Sequence, residues 1–397
     1  MTGPAGPDRD ACIAVIRDLI AFPTVSDRPN RDLLDYVARF LADHGVDSEI
    51  LWNEDRSKGN LWATIGPDDR PGVVLSGHSD VVPIADQAWT ADPFALRIDN
   101  DRIYGRGACD MKGFVGIALA FVPTLVTLDL KVPVHIAISY DEELGCTGVR
   151  SLIDRLAGFE VRPALCIVGE PTSMQVVVGH KGGGFYRVTV HGRSAHSSLA
   201  PKAVNAVEYA ADIAAIIRDL AREQATTGPR EDGYEIPHST ISVNALHGGT
   251  AYNVVPETCE LKFDIRSLPE LDMATVISRL RARIDAEVLP RMRAIEPTSS
   301  VEIEPVVELL GLSTDAGDPA VTFIKRLVGR NDHLKVAYGT EAGLFSREAG
   351  IPTVVCGPGS IDQAHKPDEF LDLSEIDACR AFLARLSGEL AEAGLPW

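Results

Sequence analysis

Short apolar runs rich in β-branched residues stand at positions 73–75, 134–139 and 165–168, separated by segments with helical spacing. Continuous apolar runs of that length fit strands covered on both faces, and such strands belong to a largely parallel sheet with helices on either side. Candidate covering helices are residues 12–22 and the set Leu33, Leu34, Val37, Phe40 and Leu41, which fall on one helical face. Gly45 ends the second of these. The apolar run at 114–122, interrupted by Gly116 and closed by Pro123, reads as a buried helix and falls short of the ~20 residues that span a bilayer.

From about Gly184 the pattern changes. Residues 185–190 read as a strand, 204–222 as a helix and 240–246 as a strand. Cys259, Leu261, Phe263 and Ile265 then alternate with Glu260, Lys262 and Asp264, as in a half-buried strand; 273–288 is helical, and Val301 with Ile303 marks a last strand. The order βαββαβ is the ferredoxin-like arrangement. Patterns of the first kind resume at 323–328 and 353–356. The expected fold is therefore α/β: a core of residues 1–179 and 306–397 with a mostly parallel sheet flanked by helices, and an inserted ferredoxin-like domain at 180–305. Gly182-Gly183-Gly184 lacks the Gly-Lys-Ser/Thr of a phosphate loop and reads as a hinge between the two.

Composition narrows the partners. With 57 acidic and 38 basic residues the net charge is −19 over 397 residues, a balance that repels nucleic acid and anionic membranes alike. Seven cysteines show no Cys-x-x-Cys pair and no scaffold density, so most of them read as small, buried, reduced thiols. Residues 1–10 carry no basic cluster leading into an apolar stretch, which gives a cytoplasmic expectation.

Chemistry concentrates in five segments that follow strands or lie in Gly-rich loops of the core: Gly77-His78-Ser79-Asp80, residues 107–113 with Asp110, Asp141-Glu142-Glu143, Gly169-Glu170-Pro171, and Ala364-His365-Lys366-Pro367. Strand carboxyl ends are where α/β sheets bind ligands, so one cleft can gather all five. Carboxylates so gathered repel unless a cation compensates, and two imidazoles with three carboxylates suit zinc or a similar divalent ion. Neighbours such as Glu142 and Glu143 point different ways on an extended segment, so one can bind metal while the other faces substrate. Asp80 is placed to accept the second ring N–H of His78. Singly, His-x-Asp reads more simply as a satisfied polar pair and Asp-Glu-Glu as a solvated helix start; the five together favour a metal site.

These segments, with residues 76–83 and 105–113, Asp141-Glu142-Glu143, Gly169-Glu170-Pro171-Thr172 and Ala364-His365, resemble the di-metal amidohydrolase family of acetylornithine deacetylase, succinyl-diaminopimelate desuccinylase, aminoacylase and glutamate carboxypeptidase. The resemblance spans nearly the whole chain, insertion included. It implies a metallopeptidase core in which Asp110 bridges two divalent ions, with zinc the expected metal and cobalt the alternative, His78 and Glu170 on one ion and Glu143 and His365 on the other. Glu142 would be the general base and acid, Asp80 the orienting partner, and the Asp110-Met111 peptide cis. The inserted domain would be a lid and dimer interface, its His196 reaching a partner subunit's site to stabilise an oxyanion, with Asn253 and Arg266 binding the substrate carboxylate. For those last two, a turn-holding Asn and a surface ion-paired Arg are equal alternatives.

Within the family, His180-Lys181-Gly182, Ala195-His196-Ser197-Ser198, Tyr338-Gly339-Thr340-Glu341-Ala342 and residues 357–361 look most like the deacetylase branch. The implied reaction is hydrolysis of N2-acetyl-L-ornithine to ornithine and acetate by a homodimer. A desuccinylase, a broad N-acyl amino acid or dipeptide hydrolase, and a non-catalytic binder of small amino acid derivatives are the alternatives. Glu341 is a candidate partner for the ornithine side-chain amine, with capping of a helix N-terminus as its structural alternative. Cys109 and Cys146, although beside site residues, read as buried thiols.

Overall fold

The computed structural model describes residues 6–397; residues 1–5, the start of the stretch scanned for a targeting pattern, lie outside the described residues. The chain forms two compact units. One comprises the described residues up to Gly179 with Leu312–Lys335 and Thr340–Trp397, the other His180–Gly311 with Val336–Gly339.

The first unit is built on a nine-stranded sheet. At its centre Val73–His78 runs parallel to Val134–Ser139 on one side and to Leu165–Pro171 on the other. Thr353–Gly357 extends the parallel block beside Leu165–Pro171. Gly59–Ile65 and Ser48–Trp52 close one side antiparallel. Every residue of the three central strands is buried, which is why their sequences run largely apolar without alternation, with the polar exceptions gathered mainly at the carboxyl ends.

Helices Arg9–Ile20, Arg31–Asp43, Lys112–Ala120, Pro319–Val328 and Leu373–Glu392 contribute to the same hydrophobic core. Their ends are marked locally. Asp8 caps Arg9–Ile20 by accepting the Ala11 N–H at 2.8 Å, and Gly329, at φ +81°, stops Pro319–Val328 in the left-handed conformation that glycine tolerates. Lys112–Ala120 is buried along its whole length. Among the described residues no helix is long and apolar enough to cross a membrane, and all seven cysteines are buried and unpaired.

In the second unit Thr240–Gly248, Thr258–Ser267, Gly182–His191 and Ser300–Leu309 lie side by side in that order, every pair antiparallel. Cys259, Leu261, Phe263 and Ile265 turn inward against Ala206–Thr226 and Met273–Arg283, so the two-residue period marks the face that helices cover. The order of strands and helices is ferredoxin-like.

One boundary and one local reading differ from the sequence expectation. The unit continues to Gly311, because Pro305 lies inside Ser300–Leu309; the register shifts between Pro305 and Val307, on an edge strand where a missing N–H is tolerated. Gly182, Gly183 and Gly184 are not a hinge but the start of a strand, paired with Ser267, Arg266 and Ile265. A Cβ on Gly182 would meet Ser267 Oγ at 2.6 Å and the Leu309 carbonyl oxygen at 2.8 Å, so close packing, rather than freedom, selects glycine there.

Candidate metal centre and active site

The parallel strands end on one edge of the first unit's sheet, and their last residues carry the site. Val73–His78 delivers His78, Leu165–Pro171 delivers Glu170, and the turn after Val134–Ser139 delivers Asp141, Glu142 and Glu143. Asp110 comes from the loop before Lys112–Ala120, next to a cis Asp110–Met111 peptide. His365 follows a short 3-10 turn at Ile361–Gln363.

These side chains form two triads that share Asp110: His78, Asp110 and Glu170, and Asp110, Glu143 and His365. In each, one ligand atom per residue lies within 4.8 Å of the others. His78 Nε2 is 3.1 Å from Asp110 Oδ1, while His365 Nε2 is 3.3 Å from Asp110 Oδ2 and 3.1 Å from Glu143 Oε2. The two aspartate oxygens thus face different triads.

Asp80 organises the neighbouring turn. Its carboxylate accepts the Glu142 and Glu143 N–H groups at 3.2 and 3.3 Å and the Ser26 hydroxyl at 2.8 Å. Asp141, at φ +53°, turns the chain so that both amides converge on it. His78 Nδ1 is 2.8 Å from the Asp80 main-chain carbonyl and 3.5 Å from its carboxylate. The ring's nearest acceptor is therefore the backbone, because the carboxylate is already engaged by the amides.

The electrostatics call for added positive charge. Burial would raise Asp110, but hydrogen bonds from His365 and His78 outweigh it and hold this carboxyl below the ordinary range. Burial drives Glu170 well above its usual value, with Asp110 adding to the effect, and pushes Glu142 up to about 8, with Glu143 and Asp110 also raising it. His365 is raised to about 10 by Asp110 and Glu143. Glu143 Oε1 and Glu170 Oε1 are buried without a hydrogen-bond partner, an expensive state for a carboxylate oxygen unless a cation meets it. The donor set, two imidazoles with carboxylates, is that of a first-row divalent ion. The residues fit two divalent cations, one per triad.

Sequence reasoning did not single out Glu369, which is buried and accepts from Cys109 N and Asp110 N at 2.8 and 2.9 Å and from Arg106 Nη1 and Gly107 N at 2.7 and 3.0 Å. Nor did it find that Cys146, a buried thiol, donates to Glu142 Oε1 at 3.2 Å. The available signal for Glu369 was its place four residues after His365, in a segment that otherwise reads as loop.

Glu341 is fully buried and accepts from Ser76 Oγ and Ser139 Oγ, each at 2.7 Å. Both oxygens are occupied inside the sheet, so it offers no free carboxylate to a substrate amine, and its side chain makes no capping bond to Ala342–Arg347.

The remaining candidates belong to the second unit. His196 is exposed, its Nδ1 bonded to the Ser198 hydroxyl at 2.8 Å. Asn253 is exposed beside it in the chain fold, its carbonyl accepting from Ser197 N at 2.9 Å. Arg266 pairs with Asp264 at 3.1 Å and lies 5.0 Å over the Phe185 ring.

The sequence model of Peptidase family M20/M25/M40 matches residues 74–389. The chain belongs to this family. Among M20 relatives, acetylornithine deacetylase of Proteus mirabilis (strain HI4320) is 35% identical, covering 94% of this chain and 95% of its own length. That of Pasteurella multocida (strain Pm70) is 34% identical, covering 94% and 96%. The M20 family metallo-carboxypeptidase Sso-CP2 from Sulfolobus solfataricus shares the fold with a TM-score of 0.74 over 96% of this chain and 99% of that one, at 19% identity. A dinuclear metal-binding M20 peptidase from Bacillus subtilis does so at 0.66 over 97% and 98%, at 18% identity. As an M20 member the protein is a metal-dependent hydrolase of the amidohydrolase and peptidase type.

Proposed function

We propose that the chain hydrolyses N2-acetyl-L-ornithine to L-ornithine and acetate, the step that releases ornithine for arginine synthesis. The carrying observation is the pair of triads joined through Asp110 with the half-buried Glu142 alongside; the deacetylases at 34–35% identity over most of the chain support the substrate.

In this reading His78, Asp110 and Glu170 would hold one divalent ion and Asp110, Glu143 and His365 the other, with zinc the preferred metal at both sites and cobalt the alternative. Bound divalent ions supply Lewis acidity toward an acyl carbonyl and acidify water. Glu142 takes the proton from the attacking water and delivers it to the leaving nitrogen, its carboxylate steered by Cys146 and by the Asp80-held backbone. Asp80 fixes the turn and, through its carbonyl, the His78 ring.

His196 serves as the donor to the developing oxyanion in a partner subunit's site. Its exposure, and an Nδ1 engaged by Ser198 that leaves Nε2 to a ligand, support that role. Asn253 and Arg266 are assigned to the substrate carboxylate. Homodimerisation through the second unit is supported by Thr240–Gly248, an edge strand, and by the adjacent groove lined by Ala214, Ala221, Val243 and Leu246. Seven buried, unpaired cysteines support a cytoplasmic setting.

The deciding experiment measures amine release by zinc- and cobalt-loaded protein on N-acetyl-L-ornithine, N-succinyl-diaminopimelate and N-acetyl-L-methionine, with chelated protein and Glu142→Ala as controls. Preference for acetylornithine, lost on chelation and in Glu142→Ala with metal retained, is expected. Better turnover of another substrate overturns the assignment within the family, and metal-loaded protein that binds but hydrolyses none of them overturns the enzyme reading.

A further inference from the structure

We propose that Glu369, Arg106 and Gln87 form a positioning clamp that sets Asp110 and His365 in register for the second ion. The two ligands come from segments far apart in the chain; their side chains meet at 3.3 Å, His365 Nε2 to Asp110 Oδ2, but that contact does not fix the backbone from which either one projects. Glu369 divides its two oxygens along the loop that ends in Asp110: Oε1 takes the Cys109 and Asp110 amides, Oε2 the Gly107 amide and Arg106. Arg106 and Glu369 are each 1% exposed, so the pair is fully desolvated and its geometry is rigid.

From there the clamp runs to His365. Arg106 Nη1 also donates to the Lys366 carbonyl at 3.3 Å, and Nη2 to Gln87 Oε1. Gln87 Nε2 in turn donates to the His365 carbonyl at 3.0 Å, and Trp89 Nε1 braces Gln87 Oε1 at 3.1 Å. His365 needs such ties. Its side chain is 53% exposed and its backbone sits at φ +62°, a conformation that a non-glycine residue holds only where its surroundings impose it. Groups that orient metal ligands from behind alter metal affinity by roughly 10–100-fold when removed. Glu369 and Gln87 do so here through the main chain.

The inference rests on the two-ion reading, and the test separates them. Metal-free protein is titrated with cobalt(II), following the visible absorption of the bound ion and the heat of binding. Wild type takes up two equivalents. Gln87→Ala, a half-buried loop change that the fold tolerates, keeps the first equivalent within about twofold of wild type and weakens the second by about 10-fold or more; Glu369→Gln weakens the second further and alters its absorption band. If both variants titrate as wild type and only their melting temperatures fall, the clamp is structural and the proposal is overturned. If wild type itself takes fewer than two equivalents, the two-ion reading fails, and the clamp with it.

Discussion

Asp80 holds Glu142 by the main chain, its Oδ1 accepting the Glu142 N–H at 3.2 Å while Oδ2 accepts the next amide, that of Glu143, at 3.3 Å. One carboxylate therefore sets the angle between two consecutive glutamates that face different tasks. Asp80→Asn keeps the size but turns an NH₂ toward one of the two amides. We expect kcat to fall about 10–100-fold, together with a stability loss of about 1–3 kcal/mol from the amide left unsatisfied; steady-state rates on acetylornithine at a temperature where the variant stays folded check this, and unchanged kcat would remove Asp80 from the site's support.

Cys146 donates its thiol proton to Glu142 Oε1. A hydrogen bond to the charged form favours that form, so removing it raises the pKa of Glu142. Since a general base works deprotonated, the acid limb of kcat/KM in Cys146→Ala should move to higher pH, and Cys146→Ser should bring it back. Coincident acid limbs for wild type and Cys146→Ala would contradict the assignment.

Glu341 ties Ser76 to Ser139 across neighbouring parallel strands. Glu341→Ala strands two buried hydroxyls, at about 1–3 kcal/mol each, whereas Glu341→Gln keeps an acceptor and loses less. The ratio of KM for acetylornithine to that for an uncharged N-acetyl amino acid should stay within about twofold of wild type in Glu341→Gln. A selective rise for acetylornithine would place this residue on the substrate.

His135 stacks on Trp62, with 4.8 Å between ring centroids, and bonds to Thr64 Oγ1 at 3.0 Å. Burial lowers its pKa to about 4, below the unfolded value near 6.5. Between those values the unfolded chain binds the extra proton, so the stability of the neutral folded form is lost as pH falls from about 6.5 toward 4. His135→Phe keeps the stacking and removes the titration. Its urea midpoint should lose less ground than wild type on going from pH 7 to pH 4.5, by an amount on the order of 1 kcal/mol per pH unit; parallel declines would refute it.

What was legible in the sequence follows from what imposes a pattern. Strands covered on both faces run largely apolar without alternation, so 134–139, polar only at His135 and Ser139, announced itself; a strand covered on one face must alternate, so Cys259 to Ile265 did too. His78, Glu170 and the Glu142-Glu143 pair were visible because strand ends are short and polar residues stand out there. Glu369 was not, because a carboxylate that bonds to backbone amides demands no particular residue type from its partners, and Lys366-Pro367-Asp368-Glu369 looks like any solvated loop. Pro305 misled because an edge strand tolerates what a central strand cannot. The three glycines at 182–184 misled because permissive backbone and tight packing select the same residue.

The parallel pairing of Leu165–Pro171 with Thr353–Gly357 bears on how the protein is made. The second unit is encoded between these two strands, so at ribosomal rates of about 5–20 residues per second the Leu165–Pro171 edge waits roughly 10–40 s for its neighbour. During that interval an apolar parallel strand has an open side, while all four strands of the ferredoxin-like sheet, the last ending at Leu309, are synthesised. Arresting synthesis just before residue 353 should leave nascent chains that chaperones retain, and arresting it well after 357 should release them. The insertion thus sets a clock on synthesis, making the last strand of the nine-stranded sheet the step that ends the chain's exposure to misassembly.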